Sequence, residues 1–88
     1  MVKGKTKAGF EFEIDMANIE DMRFIEDLAD ADEGEPRALR RVLDKMLGKE
    51  QKERLYEFYK DEKGRVPVDS IRDAIREMFA SIGDESKN

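Results

Sequence analysis

The residues best suited to chemistry in this 88-residue chain are its carboxylates, 22 Asp and Glu in all. Asp30-Ala31-Asp32-Glu33-Gly34-Glu35 has the composition of a calcium loop. An EF-hand needs glycine at its sixth position and glutamate at its twelfth. Counting from Asp30 puts Gly34 fifth and Arg41 twelfth, so the register fails and a solvated acidic turn is expected. Asp61-Glu62-Lys63-Gly64-Arg65-Val66 is a second echo. With Gly64 sixth, Tyr59 is first and Ser70 twelfth, and neither is a carboxylate. Glu11/Glu13 and Glu26/Asp30 are the right types for acid–base work, which requires a carboxyl group held in a desolvated pocket. A chain that is 44% charged has little with which to build one, so solvated faces are expected. Ser70, Ser81 and Ser86 have no histidine partner, and no serine-lysine motif stands out. Gly4 and Gly9 do not make a phosphate loop. Cysteine and histidine are absent, which removes disulfides, thiolate metal sites, the commonest general base and the usual pH switch. No catalytic residue, metal site or cofactor is expected, and the chain is read as a non-enzyme.

The elements that would position any site must come from one small core. A chain of 10.2 kDa buries roughly 60–65% of its unfolded surface on folding, which is marginal for a lone core. Its net charge of −5 is unevenly placed. Residues 1–8 carry Lys3, Lys5 and Lys7 and no acid. Glu11 to Glu35 has eleven acids and one base, Arg23, whereas Pro36 to Arg76 has twelve bases and eight acids. The two regions can attract each other within one chain or between neighbours, and such fields guide orientation more than they stabilise. An acidic chain lacks the concentrated basic face that phosphate contact needs, so no nucleic acid partner is expected. No apolar run approaches a membrane span and the N-terminus lacks a signal-peptide segment, so no membrane partner and a cytosolic setting are expected.

Residues 1–9 are polar with two glycines and are read as a flexible N-terminal arm. Phe10, Phe12 and Ile14 alternate with Glu11 and Glu13, the pattern of an extended segment. Asp15 or Asn18 is placed to cap a helix over Ile19–Ala31, with Ile19, Met22, Ile25 and Ala29 on one apolar stripe that Phe24 and Leu28 widen. Gly34 allows a turn and Pro36 suits the start of a second helix, where Leu39, Val42, Leu43, Met46 and Leu47 have the spacing of a buried face. Arg37, Arg40, Arg41 and Lys45 make a basic stretch there, expected to be an exposed face unless an acidic partner covers it. Gly48 is read as its C-terminal cap. A third helix over Lys49–Glu62 turns Leu55, Phe58 and Tyr59 inward and stops at Gly64. The last helix runs from about Val68 or Asp69 to Ile82, with Val68, Ile71, Ile75, Met78, Phe79 and Ile82 following the helical period; it ends at Gly83 and leaves a polar C-terminal tail over residues 83–88. The expected fold class is all-α: a small bundle of about four helices with a short extended N-terminal segment, residues 10–82 forming the single domain.

Met46-Leu47-Gly48-Lys49-Glu50-Gln51, then Leu55, then Asp61-Glu62-Lys63-Gly64-Arg65-Val66-Pro67-Val68 and a closing amphipathic helix together resemble the tail assembly chaperones of long, non-contractile phage tails. The first half fits as well: an arm, Phe-Glu-Phe-Glu-Ile with Asp15, and an acidic helix, so the resemblance spans residues 10–82. It implies a protein that binds the tape-measure protein, and tail-tube subunits as a second client, while a phage or prophage tail is built in the bacterial cytoplasm. It implies absence from the mature virion, self-association as a homo-oligomer, and a longer product made by frameshifting. The family has no catalytic set to carry over. Met16, Met22, Met46 and Met78 could lend adaptable contacts to such a role. The expected partner or self-association surface is Phe10, Phe12, Met22 and Phe24, although the same apolar residues could complete the core. The alternative is a small acidic inhibitor that mimics nucleic acid and binds a basic host or phage protein, motivated by the acidic Glu11–Glu35 segment.

Overall fold

The alternation at Phe10–Ile14 does produce a strand, but not an isolated one. In the computed structural model, which describes residues 1–85, β1 (Val2–Lys5) and β2 (Glu11–Ile14) form a two-stranded antiparallel sheet. The flexible arm expected over residues 1–9 is therefore corrected to the first strand of a hairpin and its loop. Its register pairs Val2 with Ile14, Lys3 with Glu13, Gly4 with Phe12 and Lys5 with Glu11. Opposite charges face each other at Lys3–Glu13 (3.3 Å) and Lys5–Glu11 (3.9 Å), as favourable cross-strand pairing requires. Gly4 is needed because a β-carbon there would lie 2.7 Å from Phe12 Cζ. In the loop, the Thr6 N–H donates to the Phe10 carbonyl and the Gly9 N–H to the Thr6 carbonyl, both at 2.9 Å. The buried Thr6 hydroxyl accepts the Phe10 N–H at 3.1 Å and shares a 2.7 Å hydrogen bond with the Tyr59 hydroxyl.

The acidic segment that follows makes two helices where one was expected over Ile19–Ala31. Asp15 caps α1 (Met16–Ile19) by accepting the Ala17 N–H, and Asp21 caps α2 (Met22–Asp32) by accepting the Arg23 N–H. Each aspartate satisfies an N–H that the first helical turn leaves free, so the run of acids carries two start signals. After the turn at Gly34, α3 (Pro36–Tyr59) begins with proline in its first turn and Glu35 as cap.

Gly48 interrupts α3 with φ 80° and ψ 163°, dividing it into two helical halves as its position after Leu47 suggests. The Gln51 amide nitrogen donates to the carbonyls of Leu47 and Glu13, each at 2.8 Å. Its amide oxygen accepts the Glu13 N–H at 2.8 Å. A glutamine three residues into a helix commonly reaches back towards the cap; here the same reach also fastens β2. Lys52 pairs with Asp44 across the break. The second half ends at Tyr59, earlier than the Glu62–Gly64 stop expected. Lys60 is extended, and Asp61 closes the following loop by accepting the N–H groups of Lys63 and Arg65 at 2.9 Å. An aspartate that bonds its own downstream backbone competes with helix continuation.

The last helix, α4 (Val68–Glu85), buries Ile71, Ile75, Met78 and Ile82 of the expected stripe and Ala74 beside them, whereas Val68, at its first position, is exposed. It runs through Gly83, so the stop expected there is corrected; the rest of the expected tail, residues 86–88, lies outside the described residues. The core joins hairpin and helices, with Ile14, Phe24, Leu43, Met46, Leu55 and Met78 almost fully buried. The domain is broadly helical, and the all-α expectation is corrected by its N-terminal sheet.

Candidate functional site

The orientation of α2 creates the candidate site. Its sequence offers a stripe, Met22, Ile25 and Ala29, wider than one helix face needs. The structure buries the adjoining side instead: Phe24 is 0% exposed, with Leu28 and Ala31 packed beside it. Two interactions fix that choice. Phe24 meets Phe79 of α4 edge to face, with centroids 6.0 Å apart. Buried Asp27 accepts hydrogen bonds from Arg41 Nε at 2.9 Å and Lys45 Nζ at 2.8 Å. The basic stretch of α3 thus meets an acidic partner within the same chain, through Arg41 and Lys45, while Arg37 and Arg40 remain exposed.

The Lys45 and Arg41 hydrogen bonds hold the Asp27 carboxyl below its ordinary value of 3.8, against the opposing effect of burial. A carboxylate whose pKa is lower in the folded chain stabilises the fold above its unfolded pKa, and that contribution disappears as pH falls through the folded value. Urea unfolding between pH 7 and pH 2 should therefore show stability declining below about pH 4, near the unfolded aspartate pKa. Asp27→Asn should lower the neutral plateau and flatten that part of the acid limb. An identical acid limb in the variant would show that Asp27 is not coupled to folding.

Turning Phe24 inward leaves Met22 67% and Ile25 47% exposed. Ile25, Leu28 and Ala29 form one wall of a groove of about 570 Å³; Leu39 and Val42 of α3 and Ile75 and Phe79 of α4 complete its apolar lining. Arg72 and Arg76 border it on the α4 side and Asp32 on the α2 side. The groove between α2 and α4 is open to solvent. An open apolar trough between helices can receive another amphipathic helix.

Of the expected surface residues, only Met22 is exposed. Phe10, Phe12 and Phe24 are 4%, 2% and 0% exposed, so the structure corrects them to core positions. The physical reason is the hairpin. Once β1 pairs with β2, Phe12 and Ile14 face the helices, and Phe10 packs edge-on against Phe58 and tilted against Tyr59, with Arg54 over its ring. Phe58, expected inward, is 45% exposed beside a second hollow bordered by Gly9, Glu53 and Glu57. Ile25, Leu39 and Phe79 are the groove residues that sequence reasoning assigned to the core. The available signal was the excess width of the α2 stripe, since Phe24 and Met22 cannot both face one neighbour.

Among the described residues no group of three or more Asp or Glu side chains is arranged to hold a metal ion. No helix among the described residues is long and apolar enough to cross a membrane. No family model, curated protein or solved structure matches the chain.

Proposed function

We propose that this chain is a tail assembly chaperone of long-tailed, non-contractile phages or prophages, and that it holds an amphipathic helix of the tape-measure protein in the α2–α4 groove. The observation that carries the proposal is the exposed Ile25–Ala29 stripe facing Leu39 and Phe79, an apolar trough the domain does not fill itself. A tape-measure protein is a long helical chain whose apolar stripes would aggregate before assembly, and covering them requires greasy surface rather than bond chemistry. Tail-tube subunits are a second client in this reading. The protein acts in the bacterial cytoplasm and is left behind when the particle is complete. Self-association belongs to the same proposal but uses surfaces other than Phe10 and Phe12, which are already spent on the core.

The acidic-inhibitor alternative is less well supported. Three of the eleven acids from Glu11 to Glu35 are matched within the chain, Glu11 and Glu13 by lysines of β1 and Asp27 by Arg41 and Lys45 of α3, so the segment is not a face of uniform sign.

Co-expression with a tape-measure fragment tests the chaperone reading. The wild-type chain should raise the soluble fraction of the fragment, and Ile25→Glu should abolish that gain while melting normally, because its side chain stands in the groove wall and is not part of the closed core. Equal solubility with wild type, variant and empty vector would refute it. A tape-measure gene immediately downstream would support it independently.

A further inference from the structure

The groove has lips of opposite sign. Arg72 and Arg76 lie four residues apart on α4, one helical turn, and both are exposed. Among the described residues Arg72 makes no ion pair within 4 Å; Arg76 reaches only Asp73 of its own helix, at 3.4 Å with both side chains largely in solvent. Asp69 and Asp73 lie farther round α4, beyond the two arginines. On the other lip, Asp32 lines the groove, and helical spacing puts Glu26 and Glu33, seven residues apart, just outside Ile25 and Ala29. None of these three acids makes an ion pair among the described residues, although α2 neutralises Asp27 on its inner face. A chain with net charge −5 thus sets two arginines, Arg72 unpaired among the described residues and Arg76 paired only with a solvent-exposed aspartate of its own helix, along one margin of its apolar trough and three acids along the other.

Resting on the reading of the groove as a client site, we infer that its occupant is a helix with an apolar stripe, acids along one flank and bases along the other. The acidic flank lies by Arg72 and Arg76 and the basic flank by Glu26, Asp32 and Glu33. A helix with acids on both flanks meets repulsion from α2, and one with bases on both meets it from α4, so the lips reject as well as attract. Reversing a helix end to end exchanges its flanks, so the same charges set the direction in which the client lies. A second copy's α2 does not meet this requirement, since Arg23 is its one base.

Three fluorescein-labelled synthetic helices test the inference. They share one Leu/Ile/Ala stripe and differ in their flanks: Glu/Lys, Glu/Glu or Lys/Lys. By anisotropy at low salt the Glu/Lys peptide should bind about five- to tenfold more tightly than either other, and the preference should shrink in high salt. Arg72→Glu combined with Arg76→Glu should make the Lys/Lys peptide the tightest, with circular dichroism confirming an unchanged fold. Equal binding of all three peptides to the wild type, lost in Ile25→Glu, would overturn the charge inference while leaving the groove in place. Absence of binding by any peptide, or full binding to Ile25→Glu, would overturn both.

Discussion

Phe24→Ala is expected to destabilise the domain by about 3–5 kcal/mol, enough to populate the unfolded state at ambient temperature. Phe24 has no exposed surface, and its ring packs edge to face against Phe79 of α4. Deleting it removes transfer energy and leaves a cavity beneath the groove floor. Met22, two residues earlier on the same helix, gives the control. It is 67% exposed, so Met22→Ala should change stability by no more than about 0.5 kcal/mol. Urea melts of both variants, followed by circular dichroism, decide the matter. Similar midpoints for the two would mean that α2 presents its other face to the core, and the groove as described would not exist.

Gly48→Ala is the second large effect. At φ 80° and ψ 163° the backbone occupies a region almost reserved for glycine. A β-carbon there meets no neighbouring atom within 4 Å, so the penalty is conformational and not a clash. About 1–3 kcal/mol is expected if the break survives. Alanine also favours helix continuation, and a straightened α3 would swing Gln51 away from Glu13 and pull Lys52 from Asp44. For a domain of this size the expected fall in Tm is on the order of 10 °C. A variant that melts with the wild type would show that the break is not required by the fold.

These two residues also show what could be read without coordinates. Gly48 announces itself, since a glycine after Leu43, Met46 and Leu47 ends a buried face and Gln51 follows at capping distance. The closing helix was legible for a related reason: Ile71, Ile75, Met78 and Ile82 leave no competing period. Phe24 was not legible as core. Its helix carries apolar residues around too much of its circumference, and the buried side was decided by Asp27 meeting Arg41 and Lys45, which are distant in sequence. β1 was hidden more thoroughly. Val-Lys-Gly-Lys has one apolar residue and no strand signal, and it becomes a strand because Glu11, Phe12, Glu13 and Ile14 supply its partners. Gly83 misled in the opposite sense, since a glycine in a helix interior is merely unfavourable and need not terminate it. The groove inherits this pattern: its walls were visible as apolar periodicity, but which stripe stays open depended on tertiary choice.

The Gln51 amide has one more consequence. A ribbon of two strands normally offers its bare margin to any extended peptide nearby, the first step towards fibrous aggregates. Here a single side chain, donating to and accepting from Glu13, imitates the missing strand and blocks the growth point at that residue, while the lysines of β1 make the opposite margin inhospitable. A protein proposed to keep other chains from clumping is thereby built so that its own short sheet does not become the seed.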